Sequence, residues 1–438
     1  MSPSIDDSSL IDLTRKVLEI VSTHNRWRRL ETINLIASEN VMSPLAEYVY
    51  LNDMMGRYAE GPTGNKYYQG TKYMDMLEKI CNDLMCRLFN AKYADVRPVS
   101  GTVANIAALY AITEAGDLVA SLPISAGAHI SHRKVGAVGV LRLRTVDLPW
   151  DPETLNIDLD RAVKVIEEKK PKVVILGASV YLFPHPMKEI ADVAHSIGAL
   201  VVHDSAHVLG LIAGKVFPNP LENECDIMTA STHKTFPGPQ GGVVFTNRMD
   251  LAEKLDKAVF PGVTSNYHQH RYPSLAITAI EMLKYGEEYA RQIVRNAQKL
   301  AEALAERGFK VLGEPLGYTR THQVLLDVSK LGGGAKCASL LEEANIIVNK
   351  NMLPGDKAPD NPSGIRIGVQ EMTRFGMKEN EMETIADFMA KILIEGRDPA
   401  EVKPKVVEFR KEFTKIHYGF SIKDFENVKY CNIISLLE

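Results

Sequence analysis

The apolar positions of the chain fall into two spacings. Between about residues 117 and 247, short runs that are apolar nearly throughout recur: DLVASL, LRLRTVDL, KVVILGAS, ALVVHDSA, CDIMTAS and GGVVFTN. They are rich in β-branched residues and bounded by polar turns, the signature of strands covered on both faces. Helical patterns alternate with them. NDLMCRLFN reads as the end of one helix, and GTVANIAALYAITEA as another that opens on glycine. This alternation predicts an α/β fold with a mixed, mostly parallel sheet. Upstream, Leu10, Leu13, Val17, Leu18 and Val21 lie at helical spacing behind a serine cap, so residues 8–31 predict an amphipathic helix. A loop region rich in Pro and Gly follows over 43–72. Residues 269–308 read as mostly helical, a connector into a second unit. That unit pairs the strand candidates HQVLLDVS and GIRIGV with the helices AKCASLLEEAN and ENEMETIADFMAKIL. The expected organisation is a helical arm (1–32), a large α/β domain (33–290), a small α+β C-terminal domain (291–420) and a tail (421–438).

Composition narrows the class. The chain has 438 residues, 45% of them hydrophobic and 24% charged, which suits a soluble globular protein with a large core. A net charge of −4 offers no basic field for nucleic acid. No apolar run approaches the ~18–20 residues that span a bilayer. The start, MSPSIDDSSLIDL, has three acids and no basic segment, so no secretory leader is expected. Five cysteines without a CxxC or zinc spacing point to a reduced, cytoplasmic protein with no disulfide framework and no metal site.

Ligands of open α/β sheets bind beyond the carboxyl ends of the strands. Three polar signals occur at such ends: Ser179 after KVVILGAS, Asp204 and His207 at ALVVHDSAH, and Thr232, His233 and Lys234 after CDIMTAS. Singly, a strand-end Asp is usually a cap and a turn lysine is usually solvated. An acid, an imidazole and an amine together suit a Schiff-base cofactor. Pyridoxal 5'-phosphate needs a lysine amine, an anionic partner for its ring nitrogen, and a phosphate cradle. Ser100, Gly101 and Thr102, at the start of a predicted helix, provide a candidate cradle of free N–H groups at the positive end of the dipole. Lys234 beside the cationic ring would be depressed in pKa and nucleophilic.

Eight segments extend this reading: NLIASENVMSP, RYAEGPTGNKYYQG, VSGTVAN, VVHDSAHVLGLIA, STHKTFPGPQGG, AVFPG, IIVNKN and SGIRIG. In this order and spacing, over about 33–418, the chain resembles the serine hydroxymethyltransferases, fold type I enzymes that use pyridoxal phosphate. The resemblance implies that Lys234 carries the cofactor, with His233 beside it, and that Asp204 meets the pyridine nitrogen. It implies that His129 stacks on the ring, that Ser100, Gly101 and Thr102 hold the phosphate, and that Ser179 and His207 hydrogen-bond the cofactor. Gly262, in AVFPG, belongs to the same cofactor set. Arg366 would clamp the substrate carboxylate, and Ser38, Tyr68 and His207 would contact the substrate. Glu60 would transfer protons near the substrate hydroxyl, with Tyr58 and Tyr68 nearby. Tyr67, Asn351 and Glu60 would meet a tetrahydropterin co-substrate, the one-carbon carrier. Tyr58 and Glu60 would reach in from a second copy, implying an obligate homodimer. The implied reaction moves the hydroxymethyl carbon of serine to the pterin, leaving glycine.

The sequence departs from the family in places. Gln240 stands where the family has arginine, and VTSNYHQH (263–270) replaces a glycine-rich segment. Thr264, Ser265, Tyr267 or His268 side chains are the expected substitutes there. SVYLFPHP and SAGAHISH also lack family glycines. The changes surround the cofactor mouth, so a modified pterin is a candidate carrier. The rival readings are a pyridoxal-phosphate aldolase for threonine or other β-hydroxy amino acids without a pterin, and a non-catalytic paralogue.

Overall fold

The computed structural model describes residues 7–353, 356 and 362–434. The outermost parts of the expected arm and tail (1–6 and 435–438) lie outside the described residues. A helix spans Asp7–Arg26 and continues into a π-helical turn, Trp27–Glu31. Ser8 lies inside this helix and is not its cap. Leu10, Leu13, Val17, Leu18 and Val21 are all exposed, so no described residue of the same chain covers the predicted apolar face.

Seven strands form the main sheet, in the order Tyr93–Asp95, Gly242–Thr246, Ile227–Ser231, Leu200–Asp204, Val173–Leu176, Leu118–Ser121 and Arg144–Asp147. Every pairing is parallel except those of Gly242–Thr246, which is antiparallel to both neighbours. All six predicted strands are present. The central ones are buried at every position but Leu200, as runs without polar alternation require. Helices cover the sheet: Lys72–Phe89 ends on Asn90 in the left-handed conformation, and Gly101–Ile112 starts on a Ser100 cap.

The 35-residue helix Tyr272–Glu306 passes through position 290, where the two domains were expected to divide. Its buried stripe (Leu275, Ala279, Met282, Gly286, Tyr289, Ile293, Ala297, Leu300, Leu304) recurs at three- and four-residue steps. One continuous core joins Phe89, Phe236 and Phe245 under the large sheet to Val324, Ile367 and Met389 in the C-terminal part. That part carries a four-stranded antiparallel sheet ordered Lys310–Val311, Gln323–Asp327, Gly364–Gly368 and Asn349–Asn351. Residues 33 and 34, expected in the large domain, instead pair in parallel with Ile346 and Ile347. They form a separate two-stranded pair, and the segment that follows meets the small sheet where the Gly368 N–H donates to the Leu35 carbonyl at 2.8 Å. A helix the sequence reading did not foresee, Pro399–Lys411, closes the C-terminal part. Among the described residues no helix is long and apolar enough to cross a membrane.

Candidate active site

A cleft of about 2040 Å³ opens where the carboxyl ends of the large sheet face the small one. The geometry begins with Asp204, the last residue of its strand. Asn105 Nδ2 (2.7 Å) and His132 Nε2 (3.0 Å) converge on its Oδ2, and the Ala206 N–H donates to Oδ1 at 3.0 Å. Burial would raise this carboxyl's pKa. The hydrogen bond with His132 leads the interactions that overcome burial and hold it well below the carboxylate range. Asp204 is therefore a fixed anion at neutral pH. Gly177 follows the adjacent strand at φ +89°, and a side chain there would sit 2.0 Å from the Asp204 carbonyl oxygen. Only glycine lets the two strand ends pass.

Lys234 lies three residues beyond the Ile227–Ser231 strand and is half-buried in the cleft. Burial is the main reason its pKa falls to about 8; Asp204 opposes the fall and Arg366 adds to it. The depression thus precedes any cationic ring and comes from the protein alone. Across the cleft, Arg366 sits at the centre of the Gly364–Gly368 strand, opposite Leu325 and Asn349. Its Nη1 donates to the Ser179 carbonyl at 2.7 Å and its Nε to Asn349 Oδ1 at 3.2 Å. Burial brings its pKa down to about 10, still protonated at neutral pH.

Four imidazoles around the amine are neutral. Burial lowers His129 and His233 to about 4, His322 to about 3, and His207 well below its ordinary value. His129 Nδ1 contacts Ser131 Oγ at 2.7 Å, while His233 Nδ1 is buried without a partner. His207 accepts from Gln323 Nε2 at 3.0 Å and stacks on His322 at 5.5 Å. Gln323 Nε2 also reaches the Ser179 carbonyl at 3.0 Å.

The predicted cradle lies beside this group. Ser100 Oγ accepts the Val103 N–H at 3.1 Å, leaving the Gly101 and Thr102 N–H groups without an intrahelical partner. A Cβ on Gly101 would lie 3.2 Å from Ser231, so this helix end packs directly against the strand that leads to Lys234. The Gly241–Gly242 pair after Gln240 has the same cause. A Cβ on Gly242 would come within 2.2 Å of the Ser100 carbonyl oxygen. These features fit pyridoxal phosphate: a free anion cradle, a buried carboxylate, a deprotonatable amine, and unpartnered Ser231 Oγ and His233 Nδ1.

Ser38, Ser179, His233 and Asn351 also line the cleft, and Gln240 is exposed at its rim. Asn351 Nδ2 is spent on the Met352 carbonyl at 2.7 Å. Asp204, Ser100, Gly101, Thr102, Tyr58, Glu60, Tyr67, Tyr68 and Gly262 are not among the lining residues. The tyrosines stand exposed on a separate loop, where Tyr58 and Tyr68 rings are 5.4 Å apart and the Glu60 carboxylate raises the Tyr68 pKa. Ser265 Oγ donates to Glu60 of the same chain. Gly262 lies against the Tyr110 ring.

One expectation is corrected. Thr264 and Tyr267 do not offer hydroxyls outward: Thr264 Oγ1 bonds the Val259 carbonyl at 2.6 Å, and the buried Tyr267 hydroxyl bonds the Ala59 carbonyl at 2.9 Å. The sequence reading also missed Asn105, His132, His322 and Gln323. The His129–His132 spacing in AGAHISH was the available signal for one of them. The others meet the site only through long-range packing.

A mostly parallel sheet whose strand ends present a low-pKa lysine, a clamped carboxylate and an anion cradle defines a fold type I pyridoxal-phosphate enzyme. The serine hydroxymethyltransferase family profile matches residues 10–389. A serine hydroxymethyltransferase of Pyrobaculum neutrophilum is 59% identical over 422 residues, 96% of this chain and 98% of the relative. That of Sulfolobus acidocaldarius is 56% identical over 425 residues, 96% and 98% respectively. Among solved structures, L-threonine transaldolase from Pseudomonas fluorescens in the internal aldimine state superposes with a TM-score of 0.86 at 29% identity, covering 98% of each chain. The chain belongs to the serine hydroxymethyltransferase family of pyridoxal-phosphate-dependent transferases.

Proposed function

We propose that this enzyme reversibly transfers the hydroxymethyl carbon of serine to a tetrahydropterin, leaving glycine, with the cleft around Lys234 as its active site. The observation that carries the assignment is the amine itself, whose pKa of about 8 lets a useful fraction be unprotonated at neutral pH. Bound there, pyridoxal phosphate supplies an electron sink for the bond broken at the substrate's α-carbon. Lys234 would hold it, and the Asp204 anion would keep its ring nitrogen protonated. His129 would lie against its ring, Ser100, Gly101 and Thr102 would receive its phosphate, and Ser179, His207 and His233 would complete the pocket. Arg366 binds the substrate carboxylate as a planar fork, with Ser38 alongside.

The remaining residues act across a homodimer. Glu60, with Tyr58 and Tyr68, moves the proton of the substrate hydroxyl in a neighbouring copy's cleft. Gly262 joins that copy's phosphate site, and Tyr67 and Asn351 meet the pterin. The uncovered apolar face of the Asp7–Arg26 helix supports such a partner. The five unpaired cysteines suit the cytoplasm. The exposed Gln240 at the cleft rim supports a modified pterin as carrier. The large domain (33–290) would then hold the cofactor and the small one (291–420) the substrate carboxylate. The test is α-proton exchange of glycine, and serine cleavage, with tetrahydrofolate or a methanopterin-type carrier added. Carrier-dependent cleavage with preference for the modified pterin is expected. Equal stimulation removes the carrier assignment, and carrier-free cleavage of threonine at the serine rate favours the aldolase reading.

A further inference from the structure

Lys234 is tied down at its main chain as well as surrounded at its amine. Asn40, on the segment returning from the small sheet, donates through Nδ2 to the Lys234 carbonyl at 2.7 Å. The other Nδ2 proton goes to the Tyr289 hydroxyl at 2.9 Å, and Oδ1 accepts the Val41 N–H at 2.9 Å. The direction of this chain is fixed. Tyr289 spends its own proton on the Gln370 carbonyl at 2.8 Å, so toward Asn40 it only accepts. Asn40 has no spare donor, and no other residue type of its length offers two.

Tyr289 is in turn held by the irregular segment that follows the Pro399–Lys411 helix. The Tyr418 ring stacks on it at 5.2 Å with 30° between planes, and the Arg374 guanidinium lies 5.6 Å over its ring. Arg374 donates to the Tyr418 carbonyl at 2.6 Å and pairs with Glu281 at 3.1 Å, both side chains fully buried. The Phe420 N–H closes the circuit on Glu281 Oε1 at 2.8 Å. Residues 418–420 thus form a strap across the long helix, ending in contact with the ring whose hydroxyl orders Asn40. They lie beyond the segment matched by the family profile.

We propose that Asn40 is a positioning residue for Lys234, and that the strap, acting through Tyr418 and Tyr289, sets it. The proposal rests on Lys234 being the cofactor-bearing lysine. Freed from Asn40, the 232–236 turn moves, and the amine no longer keeps a single distance from Asp204 and Arg366, the two charges that act on it. A misplacement of under ~1 Å at such a group is enough to cost on the order of 10-fold in rate. Binding of the substrate carboxylate at Arg366 is unaffected.

The experiment compares wild-type, Asn40→Ala, Tyr289→Phe and Tyr418→Ala holoenzymes. Three quantities are read: the pH midpoint of the visible cofactor absorption, amide hydrogen exchange over 232–236, and kcat and KM for serine. Asn40→Ala is expected to lower kcat about 10-fold at near-constant KM, shift the midpoint and speed exchange. Tyr289→Phe and Tyr418→Ala should change the same readouts in the same direction by a smaller factor, about 3-fold in kcat. Tyr289→Phe keeps the ring and its packing, so it serves if Asn40→Ala does not fold. Wild-type midpoint and exchange in the variants overturn the proposal, as does a loss carried by KM alone. Lys234→Ala is the control. Absence of the band there, with Asn40→Ala unchanged, rejects only the positioning role; persistence of the band there rejects the lysine assignment itself.

Discussion

The depressed pKa of Lys234 is a statement about stability as well as reactivity. Its folded-state value of about 8, against an ordinary 10.5, means that holding the ammonium in the cleft costs the apoprotein roughly 3 kcal/mol at neutral pH. The sign follows from proton counting. Between about pH 8 and 10.5 the unfolded chain binds a proton at this lysine that the folded chain has released, so stability rises with pH through that window. Below it both states are protonated and the full cost remains. Lys234→Met keeps the length and apolar stem and removes the charge. The apo variant should therefore be about 3 kcal/mol more stable than apo wild type at pH 7. The difference should shrink toward zero by about pH 10.5. Urea unfolding of both apoproteins at several pH values between 7 and 10 reads this directly, provided the slopes match. A variant no more stable at pH 7, or an advantage that does not change with pH, would refute the idea that burial sets the lysine's pKa.

Two further perturbations separate binding from architecture. Arg366→Lys replaces a fork by a point charge; losing one charge-assisted bond at this buried site should weaken serine and glycine by about 100-fold. Calorimetric titration checks it, and unchanged affinity removes Arg366 from the carboxylate site. Lys66 and Glu78 form a buried pair at 3.1 Å, each side chain 1% exposed, pinning the Glu60 loop onto the Lys72–Phe89 helix. Lys66→Met strands the carboxylate and should cost about 3–5 kcal/mol. Lys66→Met combined with Glu78→Gln should recover part of that loss, and an equal or larger loss in the double variant would contradict the pairing.

What was legible in the sequence is what is local. Strands buried on both faces announce themselves as apolar runs, so the six expected strands of the main sheet stand where the runs are. Tyr93–Asp95, a short edge strand, carries no such run and was not foreseen. Asp204 and Lys234 were visible because each sits at or just beyond a strand end, where the fold places ligands. Their partners were not. Asn105 meets Asp204 across 99 positions and Gln323 meets His207 across 116, distances over which spacing carries no information. The same holds for residues 33 and 34, whose pairing with 346–347 gives no sign in a two-residue strand.

The departures from the family are better resolved by packing than by sequence. Thr264 and Tyr267 looked like replacements for lost glycine N–H groups, because hydroxyls can serve an anion. Each is instead committed inward, the Tyr267 hydroxyl lying 2.9 Å from both the Ala59 carbonyl and the Glu78 carboxylate, with one proton between them. The Glu78 bond joins this segment to the buried Lys66 pair, and Ser265 bonds Glu60 itself. The 263–270 segment therefore acts on the Glu60 loop of its own chain. Thr264 and Tyr267 therefore drop out as replacements for the missing glycines, and the hydrogen bonds made here tie down the loop that carries Glu60. Two anchors, the buried Lys66–Glu78 pair and the Ser265–Glu60 hydrogen bond, hold that loop within its own chain.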